Sequence, residues 1–146
     1  MIDRPLESSA PTLVKANLQE ISGELGALGS EPLQIANSLQ NRSDLPAQTI
    51  VTLGEAGAIL VTARQSWYAK PPRISHVNPI GAGDAFAAGY IRAYVEGSSP
   101  ETALQFATAV AASDAATVEP GWINFSEVTS LVSETQVYCL TTVSKT

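Results

Sequence analysis

The sequence predicts an α/β layer fold built on a largely parallel sheet. Three observations carry this expectation. Short β-rich apolar runs alternate with segments of helical periodicity. One run, Thr49-Ile50-Val51-Thr52-Leu53, is apolar without alternation, as in a strand covered on both faces. Apolar residues make up 45% of the 146, and charged residues only 15%, enough to build the core of one domain.

The elements follow in order. Thr12-Leu13-Val14-Lys15 reads as the first strand. Leu18, Ile21, Leu25 and Leu28 recur at helical spacing and predict a helix over 17–28. Leu33, Ile35, Ala36 and Leu39 predict another over 31–41. Thr49–Leu53 stops at Gly54, and Gly57-Ala58-Ile59-Leu60-Val61-Thr62 follows, so the pair reads as a hairpin with a glycine-bounded turn. Ser66-Trp67-Tyr68-Ala69 and Arg73-Ile74-Ser75-His76-Val77 are further strands, separated by Pro71-Pro72. Residues 81–96 make a helix that is apolar nearly all round and is therefore expected to be buried. Ser98-Ser99-Pro100-Glu101 opens the next helix, with Pro in the first turn and Ser three residues before Glu; it runs to residue 116. Gly121 breaks the chain, and Ser126 to Glu134 forms a last short helix. No repeat, low-complexity tract or linker divides residues 1–146, which are read as one domain portion.

Charge and composition exclude several classes. Eight basic against 14 acidic residues give a net charge of −6, with no Lys/Arg cluster of the kind that holds a polyanion, so nucleic-acid binding is not expected. A small phosphorylated ligand remains open, because backbone amides and a metal can carry its charge. No apolar run reaches the ~18 residues of a membrane span, and no membrane partner is expected. A single cysteine, Cys139, and no apolar core of signal-peptide length after Met1 lead to the expectation of a cytoplasmic location. His76 is the only histidine and is placed in a loop or at a strand end. Trp67 and Trp122 are read as packing or rim residues.

The richest segment is Asn78-Pro79-Ile80-Gly81-Ala82-Gly83-Asp84-Ala85-Phe86-Ala87-Ala88-Gly89. Two glycines between a strand and a helix allow a tight turn. The first amides of the helix have no internal partners, and the helix dipole adds to their pull on an anion. Asp84 stands at the mouth of that cradle. An anion hole beside a carboxylate suits phosphoryl transfer: the amides hold the charge of the moving group and the Asp accepts the proton of the attacking hydroxyl. The plain alternative is a turn with a dipole-favoured Asp in the first helical turn. No Gly-Lys-Ser/Thr follows, so this is not a P-loop, and the third glycine of a dinucleotide fingerprint is missing.

This segment resembles the C-terminal signature of the PfkB (ribokinase-like) carbohydrate kinases. Val14-Lys15-Ala16-Asn17-Leu18-Gln19-Glu20 is similar to the family's Lys-Pro-Asn-x-x-Glu, with Ala16 in place of Pro. Val51-Thr52-Leu53-Gly54-Glu55-Ala56-Gly57-Ala58 is similar to its Thr/Ser-Leu-Gly-x-x-Gly. Asn78-Pro79 and Lys15 look most like the 1-phosphofructokinase and tagatose-6-phosphate kinase branch. The resemblance implies a ribokinase-like layered α/β/α sandwich, present here as its C-terminal half, and ATP-dependent phosphorylation of a sugar or sugar-phosphate hydroxyl. It implies Asp84 as the catalytic base and the amides of Gly81, Ala82 and Gly83 as the anion hole. Lys15 would balance phosphate charge, and Asn17 would face the phosphates. Glu20 would hold Mg2+ through water. Thr52, Gly54 and Gly57 would lie along the nucleotide, and the small residues of Ala107–Ala116 would leave room for adenine.

Each motif has a plainer reading beside it. Asn17 followed by Glu20 also makes a helix cap. Lys15 also suits a solvated strand end, Gly54 and Gly57 also suit a hairpin, and an alanine-rich helix also packs closely on a sheet. By the resemblance, an N-terminal half with a β-sheet lid and the sugar-gripping residues is missing. Asp3 would match an acidic residue just after a central strand, so the chain is expected to start near the family's midpoint. A sheet cut there would expose an edge and apolar helix faces, and self-association is expected. Two alternatives stay open: a non-catalytic nucleotide-binding remnant, or a related kinase acting on another alcohol.

Overall fold

The computed structural model describes residues 13–27, 29–74, 81–116 and 125–142. Its five strands lie in chain order across one sheet: β1 (Leu13–Asn17), β2 (Gln48–Thr52), β3 (Ala58–Val61), β4 (Gln65–Lys70) and β5 (Gln136–Thr142). The α-helices among the described residues are α1 (Leu18–Leu25), α2 (Pro32–Gln40), α3 (Ala82–Val95), α4 (Pro100–Ala115) and α5 (Phe125–Glu134).

The sheet is mixed, which corrects the expectation of a largely parallel one. Only β1 and β2 run parallel, with Lys15 opposite Ile50 and Asn17 opposite Thr52. The other three pairings are antiparallel. Connection length explains the first three pairings, whereas the long stretch between β4 and β5 permits either direction. Parallel neighbours need a crossover of about a dozen residues or more, and α1 and α2 supply one between β1 and β2. β2 reaches β3 through Leu53–Gly57, and β3 reaches β4 through residues 62–64, loops too short for anything but a reversal.

The layers are α/β/α, as the family resemblance implies. Along β3, Ala58 and Leu60 point to one face and Ile59 and Val61 to the other, all four buried, which is why the run carries no polar alternation. On the first face Ile50, Leu60, Trp67 and Ala69 pack against Phe86 and Tyr90 of α3 and Leu104 and Ala107 of α4. On the second, Val51, Ile59 and Val61 pack against Ile21 of α1 and Ile35, Ala36 and Leu39 of α2. Trp67 is thus a core residue, as read from the sequence. Tyr90 ties the layers together by donating its hydroxyl to Gln48. Burial, with a smaller contribution from Tyr94, pushes that hydroxyl up to about 12.

Helix limits follow from caps. α1 starts at a capping box in which Asn17 Oδ1 accepts from Glu20 N–H (2.7 Å) and Glu20 Oε1 accepts from Asn17 N–H (2.9 Å). It ends at Gly26, at positive φ, so it is shorter than the predicted 17–28. α4 is capped by Ser99, whose hydroxyl accepts from Thr102 N–H, so the Ser–Glu spacing read at Ser98 and Glu101 is not the one used.

The buried helix is α4, not α3. Ten residues of α4 are buried, whereas α3 leaves Ile91 (52%), Tyr94 (41%) and Val95 (76%) exposed. Both helices are apolar around much of their circumference, so the pattern alone does not rank them; position in the layer does. They approach closely at Gly89, where a Cβ would lie 3.2 Å from Val110 Cγ2 and 3.3 Å from Ala107 Cα.

β5 was not anticipated. Gln136-Val137-Tyr138-Cys139-Leu140-Thr141-Thr142 pairs along all of β4. The strand proposed at Arg73–Val77 does not begin at Arg73 or Ile74, which lie in irregular chain. Its remainder, with His76, lies outside the described residues, as do Asp3, Leu28, Asn78-Pro79-Ile80, Gly121 and Trp122.

Candidate active site

The site forms where three elements converge. β1 and β2 end together at Asn17 and Thr52, and in open α/β sheets ligands lie beyond the carboxyl ends of parallel strands. The chain then makes a 3₁₀ turn, Gly54–Ala56, before β3. Gly57 closes the turn at φ 114°, where a Cβ would lie 2.1 Å from the Ala69 carbonyl oxygen. Only glycine fits both demands. Tyr68 steadies the turn by donating its hydroxyl to the Ala56 carbonyl.

The N-terminus of α3 faces this edge. Gly81 caps it at φ 90°, in the left-handed region, with no side-chain cap. Its carbonyl accepts from Ala85 N–H at 2.9 Å, so the earlier amides of the first turn have no intrahelical acceptor. Among the described residues, a Cβ placed on Gly83 would meet only the Lys15 ammonium, at 3.8 Å. Lys15 on β1 therefore stands over the start of α3, adding a full positive charge to the dipole end. Asp84, in the same first turn, is exposed.

A cavity of about 240 Å³ opens between these parts. Asn17, Thr52, Gly54 and Gly57 line it from the sheet edge, and Ala82 and Gly83 from α3. Thr108, Ala111, Ala112 and Ala115 of α4 form a wall of small side chains. Phe86, Ala58 and Pro71 complete its apolar part, and Glu55 adds a carboxylate. The Thr108 hydroxyl is committed to the Leu104 carbonyl (2.8 Å).

Six of the ten residues singled out in the sequence thus meet at one cavity: Asn17, Thr52, Gly54, Gly57, Ala82 and Gly83. Lys15 does not line it but stands beside Gly83 at its edge. Gly81 and Asp84 flank it on α3, and Glu20 sits one helical turn past Asn17, exposed and in the capping box. Glu55, Pro71, Phe86 and Thr108 were not singled out. Phe86 and Thr108 sit at helical positions indistinguishable from core by pattern, and Glu55 occupies a variable place between two motif glycines. Among the described residues no group of three His, Cys, Asp or Glu could enclose a metal ion. Cys139 is exposed and forms no disulfide, and no helix among the described residues is long and apolar enough to cross a membrane.

Fold and site define a class: a layered α/β/α domain with a cavity between the ends of parallel strands and an open helix N-terminus, suited to an anionic ligand. The pfkB family carbohydrate kinase profile matches residues 4–120, and the chain belongs to that family. The 1-phosphofructokinase of Escherichia coli K12 is 36% identical over 107 residues, covering 71% of this chain and 34% of that protein. Phosphofructokinase-2 from Escherichia coli, in complex with potassium, matches with a TM-score of 0.75 at 21% identity, over 85% of this chain and 41% of that one. Arabidopsis thaliana ribokinase, complexed with ribose and ATP, matches with a TM-score of 0.73 at 27% identity, over 82% and 40%. The chain spans about a third of the length of the 1-phosphofructokinase it matches.

Proposed function

We propose that this chain is the nucleotide-side, C-terminal portion of a kinase that moves the γ-phosphoryl group of ATP to a sugar or sugar-phosphate hydroxyl. The carrying observation is the Lys15 ammonium poised over Gly83 at the open start of α3, beside a cavity walled by alanines. Each part has a task. The amides of Gly81, Ala82 and Gly83 stabilise the charge that develops on the transferring group. Lys15 offsets phosphate charge. The alanine wall takes a flat base, and Thr52, Gly54 and Gly57 let the nucleotide approach the backbone closely. Asp84, exposed at the cavity's flank, accepts the proton of the acceptor hydroxyl. A loose transition state releases that proton late, so an ordinary carboxylate suffices.

Mg2+ would neutralise the phosphates. The donors fit it: Glu20 is one exposed carboxylate beside the Asn17 amide, and magnesium keeps much of its water shell when so few protein oxygens are offered. The capping role and this one are compatible, because a capped helix start still faces anions.

The same cavity also supports a second reading, a nucleotide-binding unit without turnover of its own. Its self-association, or docking with a partner that supplies the sugar-binding part, would complete the site. Calorimetry with magnesium ATP, beside turnover assays with fructose 1-phosphate, fructose 6-phosphate, tagatose 6-phosphate and ribose, separates the readings. Turnover of any acceptor supports the kinase, binding alone supports the unit, and the absence of ATP binding overturns both.

A further inference from the structure

We infer that Glu55 is the ribose anchor of the cavity, making the site selective for nucleotides that carry a ribose diol. The inference rests on the nucleotide reading above and goes beyond it, since no motif assigns Glu55 a role.

Among the described residues lining the cavity, Glu55 is the one ionisable side chain. It is exposed, at the rim rather than in the packed wall. Strand order fixes where it stands. Lys15 and the start of α3 lie at the β1 end, whereas Glu55 lies on the turn joining β2 to β3, further across the sheet. The phosphate-attracting groups, Lys15 and the first amides of α3, therefore stand at one end, flanked by Asp84 and Glu20 outside the lining, and Glu55 stands at the other. A polyphosphate is drawn to Lys15 and repelled from Glu55, so a bound nucleotide must put its nucleoside on the Glu55 side.

A carboxylate only accepts hydrogen bonds. A ribose diol offers two hydroxyl donors, and bonds from neutral donors to a charged acceptor are among the stronger ones. The base has a better place against the small residues Ala111, Ala112 and Ala115. Gly54 and Gly57 on either side keep the turn narrow and Glu55 close to the ligand, and the Tyr68 hydroxyl on the Ala56 carbonyl holds the turn in place.

The test is calorimetry on the whole chain with three magnesium-saturated probes: ATP, 2′,3′-dideoxy-ATP and tripolyphosphate. The wild type should bind ATP about tenfold more tightly than the dideoxy analogue, the scale of a hydrogen bond to a charged group. Glu55→Ala should abolish that ratio while tripolyphosphate binds as before or slightly tighter, and Glu55→Gln, which keeps one acceptor, should retain part of it. A ratio unchanged in Glu55→Ala overturns the assignment, and so does a loss of tripolyphosphate binding equal to the loss of ATP binding, which would mark a merely structural role. If neither ATP nor tripolyphosphate binds the wild type, the nucleotide reading falls and this inference with it, an outcome distinct from the other two.

Discussion

Gly57 and Gly83 border the same cavity for opposite reasons. At Gly57 the fold forbids a side chain: φ is 114° and a Cβ would strike the Ala69 carbonyl oxygen at 2.1 Å. At Gly83 the backbone is ordinary helix, and among the described residues a Cβ would find only the Lys15 ammonium at 3.8 Å. The first glycine is explained by the protein alone. The second has no such requirement among the described residues, and the proposed function supplies one, a phosphate between Lys15 and the helix start. Under the proposed function, a motif glycine is informative where the described structure leaves it room it does not need.

The largest expected effect lies one residue beyond Gly83. Asp84→Asn keeps the shape and removes the proton acceptor, and turnover by the complete kinase should fall by roughly 10²–10⁴-fold. Since Asp84 is exposed and has no packing role, the thermal midpoint should stay within a degree or two of wild type, about what a surface change costs. Near-normal turnover would remove Asp84 from the mechanism.

The glycine pair comes next. Gly57→Ala should destabilise the fold by about 3 kcal/mol, combining left-handed strain with backbone overlap, read from urea denaturation. Gly83→Ala should leave stability equal or higher by about 0.5 kcal/mol, as alanine is the better helix former, while ATP affinity drops about tenfold. Equal stability losses in the two variants would erase the contrast and reduce Gly83 to a turn residue.

Asn17 and Glu20 sharpen the same question on α1. Asn17→Ala removes the cap and should cost about 1 kcal/mol. Glu20→Gln preserves an oxygen for the Asn17 amide, so stability should hold, whereas the magnesium concentration needed for half-maximal ATP binding should rise several-fold. A rise in neither ATP nor magnesium requirement would leave the pair as a capping box only.

How much of this was legible in the sequence depends on whether the signal was local. The cap at Asn17, the glycine turn before Asp84 and the bare apolar runs of β2 and β3 are read from neighbours, and they stand where expected. The β2–β3 hairpin stands as read, but the direction of β4 and β5 was missed because it depends on how the ends connect: the alternation of elements suggested parallel crossovers, and only α1 and α2 make one. β5 was missed though its Val, Tyr and Thr favour strands, because it follows directly on α5 with a single residue between. Glu55 was passed over because a charged residue in a turn is ordinary until the cavity beside it is known.

The smallest effect tests the misjudged helix. Ile91, Tyr94 and Val95 share one face of α3 by their spacing and are all exposed. Their opposite neighbours Phe86, Tyr90 and Ala93 are buried, so the exposed face contributes little to folding. Ile91→Lys with Val95→Lys should therefore shift stability by no more than about 0.5 kcal/mol. Contiguous exposed apolar residues promote association, and the isolated chain should self-associate in sedimentation velocity as its concentration rises. The double substitution should weaken that association through charge repulsion and lost apolar contact. Unchanged association would shift attention to the outer edges of β1 and β5, where the sheet ends among the described residues.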